Sequence, residues 1–329
     1  MKKILRVLAA TAVLASASFA ADYTIKMSHV VSAATPKGQA ADFFAKRVGE
    51  LTGGKVEVAV FPNAQLYNDN AVMKALKIGN VHIAVPSFSK FTSLVPAMQL
   101  FDLPFLFRDR AHLHAVLDSE VGQILKDQVT AKGFVALDYW DAGFKHFSSS
   151  KKPVINPEDA AGQKFRIMSS KVLEAQMKAV NGSVQVLPFS EVYSALQQGV
   201  VDGAENPLSN FATKKFNEVQ SSLTLSEHGY LGYLVIMSEK FWSKFPDEYK
   251  GKVLQAMKEA TAFERNLAAE EDAKLLAQMQ EYAKSTGKMK IYTLTPEQKA
   301  AWAKIMEGIY PQFYETIGED LIKKAQAVK

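Results

Sequence analysis

The chain has 329 residues, 48% of them hydrophobic, with 39 Lys and Arg against 34 Asp and Glu and no cysteine. Without cysteine there is no disulfide and no thiol nucleophile, and no run of Lys and Arg interleaved with aromatics marks a nucleic-acid surface. A chain of this length buries roughly three quarters of its unfolded surface and has room for two domains.

Lys2, Lys3 and Arg6 make a basic start, Val7 to Phe19 carries no charge, and Ser18 and Ala20 supply small residues before Ala21. This reads as a secretory signal peptide over residues 1–20, cut after Ala20. As a membrane anchor the run is short of the roughly 20 apolar residues that a span needs. With Lys2, Lys3 and Arg6 set aside, 36 basic residues face 34 acidic ones, a net charge of about +2. The expectation is a soluble, exported chain.

Tyr23–Ser28 reads as a buried strand. Thr35 and Pro36 open a helix through Leu51, as N-cap and first-turn proline, and Gly53-Gly54 stops it. Val56, Val58 and Val60 alternate with polar or small residues, a strand. Asn68 or Asp69 caps a helix that runs to Ile78 and ends at Gly79, and Val81–Val85 forms the next strand. A second unit repeats this order. Asn156-Pro157 opens a helical turn, Lys164–Met168 is a strand, and Lys171–Val180 is a helix. Val184–Leu187 is a strand, Ser190 caps a helix to Gln198, and Val200–Ala204 is a strand. The last steps of the two units share a written pattern: from Val72 and from Val192, 120 positions apart, both read V-x-x-A-L-x-x-G-x-V-x-x-A. Strands alternating with helices imply parallel sheets covered on both faces, with ligands at the carboxyl ends of the strands. Beyond a strand at Tyr230–Met237, Pro246-Asp247-Glu248 starts a helical pattern reaching about Lys284, either one long helix or a bent pair. A last helix starts at Thr295-Pro296.

The motifs exclude more than they assign. The nearest histidines, His112 and His114, stand two apart in a helix and do not share a face; there is no H-E-x-x-H, no Walker sequence and no G-x-G-x-x-G after a strand. No metal and no cofactor is expected. Ser87-Phe88-Ser89-Lys90 has the S-x-x-K spacing of serine–lysine hydrolases but lacks the accompanying S-D-N and an ordered K-T-G. What remains is a set of binding residues at strand ends. Arg166, in "QKFRIMSS", either meets an anion or closes a structural salt bridge, because a buried arginine needs a partner for its planar fork. Asn206 ends "DGAEN", Lys145 stands in "AGFKHF", and Phe189 precedes Ser190. Arg, Lys, an amide and an aromatic wall suit a small carboxylate.

At these residues the chain resembles the solute-binding subunits of tripartite ATP-independent periplasmic (TRAP) transporters, in the four-carbon-dicarboxylate branch. "LPFSEVYSALQQGVVDGAENP", "GQKFRIMSS" and "TPKGQAADFFAKRVGELTGGKVEVAVFPNAQL" carry the resemblance, which covers the mature chain. It implies an α/β, two-lobed periplasmic binding protein with a ligand cleft between the lobes and a long helix spanning both. The implied lobes are residues 21–143 with about 232–270, and residues 144–231 with about 271–329. It further implies that Arg166 and Asn206 share a ligand carboxylate and that Phe189 packs on the ligand. Lys145 falls where acidic-sugar binders carry a second arginine, and a lysine there, a point charge rather than a fork, fits a smaller diacid. Lys37 would meet the distal carboxylate, and Ser87, Ser170 and Tyr230 would line the pocket. The implied function is capture of succinate, malate or fumarate in the periplasm by a monomer that serves integral-membrane permease subunits. A monocarboxylate or 2-oxo acid ligand, presentation to a sensor, and a secreted serine–lysine hydrolase are the alternatives.

Overall fold

In the computed structural model, which describes residues 21–329, the repeated strand–helix units are the two wings of one continuous sheet. The expected signal peptide, residues 1–20, lies outside the described residues. The first wing contains β1 (Tyr23–Ser28), α1 (Pro36–Thr52), β2 (Val56–Phe61), α2 (Asp69–Ile78) and the short β3 (Ile83–Ala84). α3 (Arg110–Asp118) and α4 (Glu120–Thr130) lead into β4 (Phe134–Ser149). The second wing contains β5 (Lys164–Ile167), α5 (Lys171–Ala179), β6 (Ser183–Val186), α6 (Val192–Gln197) and β7 (Gly203–Asn206), then α7 (Leu208–Thr213). β8 (Ser222–Ser238), α8 (Glu239–Trp242), α9 (Asp247–Thr286), β9 (Lys290–Thr293), α10 (Pro296–Met306) and α11 (Glu319–Ala327) complete the chain.

Local chemistry explains the boundaries. The Thr35 hydroxyl accepts from the Gly38 N–H, Pro36 occupies the first turn, and Gly53 closes α1 at φ 61°, a left-handed conformation natural to glycine. Asn68, not Asp69, caps α2, accepting from the Asn70 and Ala71 N–H groups. Ser190 does not cap α6. Phe189–Glu191 is a 3-10 turn that runs into the helix with backbone already helical at Glu191, so the extended residue at the start of the run is Pro188, whose side chain cannot cap. The expected strand Val200–Ala204 forms instead at Gly203–Asn206, because Val200 is exposed and pairing with β4 begins at Gly203.

The strand order β2-β1-β3-β8-β4-β7-β5-β6, with β9 beside β8, has the symmetry of the repeat: outward from the centre, each wing reads third, first, second. Within the wings, β1 pairs with β2 and β3, and β5 with β6 and β7, all parallel. The sheet as a whole is mixed rather than parallel, because β4 and β8 run antiparallel to each other through the centre and pair with β7 and β3. Their pairing is broken by irregularities near Ala136, Gly143 and His146, and Gly143 takes φ 114°.

The 40-residue α9 is one unbroken helix, roughly 60 Å long at 1.5 Å per residue. Just before its midpoint Phe263 stacks on Phe43 of α1 at 4.7 Å. Trp140 of β4 donates to Thr261 (3.0 Å), and Leu275 and Met279 enter the core of α6, α7 and β7. The helix therefore packs on both wings. After α10 the chain returns to α3 and α4: Tyr310 donates to the Pro104 carbonyl (2.6 Å), and Arg108 donates to the carbonyls of Gln326 and Val328.

Gly203 opens β7, three residues before Asn206, and a Cβ there would lie 2.2 Å from the Ser148 carbonyl oxygen and 2.9 Å from the Phe165 ring. Backbone cannot yield as a flexible side chain does, so Gly203→Ala is expected to destabilise the chain by about 1–3 kcal/mol. Urea unfolding followed by circular dichroism measures this; an unchanged midpoint would mean that β4 and β7 have slack.

Candidate ligand-binding site

The segments that follow the carboxyl ends of β1, β3, β5, β6 and β7 converge on one cavity, where ligands of parallel strands are expected. Its lining includes Val31, Ser87, Arg166, Phe189 and Asn206, with Tyr233 of β8 as a floor, and these residues close in until the room left inside is only about 20 Å³.

Arg166 stands on β5 between β6 and β7 and is 2% exposed. Its Nε and Nη2 both donate to the Leu187 carbonyl, at 3.0 and 2.8 Å. This fork fixes the guanidinium and leaves Nη1 with no protein acceptor among the described residues. Burial lowers its pKa to about 10, against the opposing pull of Glu205 and Asp69, so it stays cationic at neutral pH. Asn206, the last residue of β7, is buried, and neither its amide nitrogen nor its amide oxygen has a partner. The Ser87 hydroxyl and the Asn210 amide oxygen, which also line the cavity, are likewise unpartnered. Buried polar groups are rarely left so. Their concentration here, with Phe189 at 5.9 Å from the Arg166 guanidinium carbon, points to a small polar anion as the complement.

The structure thus brings together Arg166, Asn206, Phe189 and Ser87, and sets four other expected residues apart. Lys145 is 0% exposed and its ammonium meets Glu205 Oε1 at 2.7 Å. Glu205 also accepts from Gln176 (2.8 Å) and lies 2.9 Å from His228 Nε2. Lys145 is thus held in a buried ion pair and does not line the cavity; its partner lies 60 residues away and is placed by the β4–β7 register. Tyr230 turns into the aromatic core beside Phe88 and Phe107 and donates to Asp141 (2.8 Å). On β8 the opposite face, Leu231 and Tyr233, lines the cavity. Ser170 is buried but lines a separate depression with Thr92 and Gln99. Lys37 is buried under the Tyr233 ring, 3.5 Å from its centre, and donates to the Val85 carbonyl (3.1 Å). Burial lowers its pKa to about 8.

Lys90 and Asp69 line the cavity and were not singled out as ligand contacts in the sequence. Lys90 carried a signal, as the lysine of S-x-x-K, but the implied chemistry does not form: Ser87 has no hydrogen-bond partner, and Lys90 donates to Asn70 Oδ1 at 2.9 Å. Among the described residues, no group of three or more His, Cys, Asp or Glu is placed to hold a metal, and no helix is long and apolar enough to cross a membrane.

Comparison with known proteins agrees with this geometry. The profile of the bacterial extracellular solute-binding protein family 7 matches residues 27–317. A C4-dicarboxylate-binding periplasmic protein of Rhodobacter capsulatus is 44% identical over 304 residues, covering 92% of this chain and 90% of its own. The crystal structure of a TRAP periplasmic solute-binding protein from Sulfurospirillum deleyianum with bound succinate is 77% identical, with a TM-score of 0.93 over 94% of this chain and 100% of that one. Another from Pseudomonas aeruginosa with bound L-malate is 34% identical, with a TM-score of 0.83 over 88% of this chain and 99% of that one.

The buried ion pair carries a pH signature. Burial disfavours the Glu205 carboxylate, but Lys145 and the His228 hydrogen bond outweigh it and hold its pKa down at about 2, against an ordinary 4.5. A depressed carboxyl contributes stability above its unfolded pKa and loses it as pH falls toward the folded value. The difference in unfolding free energy between the native chain and Glu205→Gln is therefore expected to shrink as pH is lowered from 4.5 toward 2. Denaturant titrations along this range test it; a difference independent of pH would mean that the carboxylate gains nothing from its partners.

Proposed function

Because the chain belongs to the bacterial extracellular solute-binding proteins of family 7, we propose that it captures a small C4-dicarboxylate of the succinate, malate and fumarate class in the periplasm and delivers it to the integral-membrane subunits of a TRAP transporter. It is a binding component of transport, not an enzyme. The observation that carries the ligand class is Arg166. It is a buried, permanently charged fork already anchored by a backbone carbonyl, with an unpartnered amide from the neighbouring strand beside it. A carboxylate fits that pair, accepting from the free side of the guanidinium and from the Asn206 amide. The succinate-bound and malate-bound relatives support the four-carbon scale.

The two wings joined by β4 and β8 suit a cleft that closes on its ligand. In our reading the lobes are residues 21–143 with about 232–270, and 144–231 with about 271 onward. The last helix, α11, is the exception, because it packs on α3 and α4 of the first wing.

Arg166→Ala tests the assignment. Removing one member of a buried charge pair costs about 3–5 kcal/mol, and about 1.4 kcal/mol is a tenfold change in affinity. Succinate affinity by calorimetry is expected to fall by roughly two to three orders of magnitude while circular dichroism stays native. Near-normal affinity in the folded variant would overturn the role of Arg166.

A further inference from the structure

A dianion held by Arg166 at one end needs a second cation at the other, and the sequence offers three lysines for that place. Two are committed elsewhere. Lys145 is neutralised by Glu205 at 2.7 Å, and Lys37 lies beneath Tyr233 with its ammonium on the Val85 carbonyl. Neither is part of the cavity lining. The third, Lys90, lines the cavity together with Arg166 but reaches it from the other wing, on the turn that follows β3. Its one hydrogen bond among the described residues goes to a neutral amide, Asn70 Oδ1, and no carboxylate lies within ion-pairing distance of it there. Lys90 also borders an adjoining depression with Lys74, Lys77 and Ser169, so it stands where the cavity opens toward the surface.

We propose that Lys90 is the residue that reads the second carboxylate, so that the ligand bridges Arg166 of one wing and Lys90 of the other. This inference rests on the dicarboxylate reading above and names its specificity determinant. The charge count is consistent with it. Among the charged residues that line the cavity, Arg166 and Lys90 are positive and Asp69 alone is negative, so the lining is cationic on both wings. A monocarboxylate held at Arg166 would leave Lys90 with only an amide for company, and sites with unfilled polar partners discriminate strongly against the analogue that lacks the matching group. Burial, first, and the charge of Arg166 lower the pKa of Lys90 and Asp69 opposes them, so an anion beside it would offset a charge that is already costly.

The test is a calorimetric comparison of succinate with butyrate, which has the same chain length and one carboxylate fewer, on the native chain, Lys90→Met, Lys90→Arg and Lys37→Met. The native chain is expected to bind succinate at least about 100-fold tighter than butyrate, a gap of about 3 kcal/mol. Lys90→Met should close most of that gap by weakening succinate alone, with butyrate changed by less than about threefold, and Lys90→Arg should keep it. Lys37→Met should lower the melting temperature yet retain the gap. A gap that survives Lys90→Met, or one that collapses in Lys37→Met instead, would overturn the assignment and make Lys37 the reader. A native chain that binds no C4-diacid would sink the dicarboxylate reading itself, which separates that failure from a misplaced lysine.

Discussion

One buried guanidinium sets the terms for the rest of the molecule. A charge inside a sheet is tolerable only when its hydrogen bonds are met and its field is answered. Arg166 meets the first condition through the Leu187 carbonyl, which can reach it because β6 lies parallel to β5 with Gln185 opposite Arg166. It meets the second partly through Glu205, whose attraction opposes the loss of solvation. Glu205 is in turn held by Lys145, Gln176 and His228, from β4, α5 and β8. The residues that place Asn206 beside Arg166 are thus the same ones that make a charged Arg166 affordable. Recognition and lobe stability share one network.

The duplicated unit explains where that network could arise. Each wing ends its third strand at the central antiparallel pair, so each contributes a strand edge to the same cavity. The first copy brings Ser87 and Lys90 after β3, and the second brings Asn206 at the end of β7. An identical scaffold in both wings makes the edges face one another. Different residues after the equivalent strands let one wing present Arg166 and Asn206 and the other Ser87 and Lys90. β4 and β8 join the wings at glycine and at irregular pairing, while α9 packs along both.

What the sequence disclosed follows from this architecture. Helix caps, glycine stops and the repeated strand–helix order are local signals, and Thr35, Asn68, Gly53 and Gly79 mark boundaries that the structure keeps. β4 was invisible because its residues are buried on both faces over most of its length, which erases the alternation that identifies a strand. β8 was seen only from Tyr230, eight residues after its start, because Ser222–His228 mixes polar and apolar residues around a break in the pairing. Tyr230 and Tyr233 stand three apart, so alternation along β8 puts them on opposite faces, but which of those faces meets the cavity is set by how the sheet is covered.

Charged residues were legible by type and not by partner. Arg166 announced a need for an anion, since an arginine amid apolar strand residues has few other solutions. Lys145 announced the same need but found its anion within the protein, through a strand register that brings Glu205 beneath it. That pairing has a chemical consequence. Had Glu205 been neutral, Lys145 would be a fourth cation in this region without an ion-pair partner, and the site would suit more highly charged or more extended acids. With Lys145 cancelled, the cations left near the cavity are Arg166 at its base, Lys37 behind the Tyr233 ring and Lys90 at its mouth. The internal ion pair therefore lowers the net positive charge around the cleft, because Lys145 is answered within the protein.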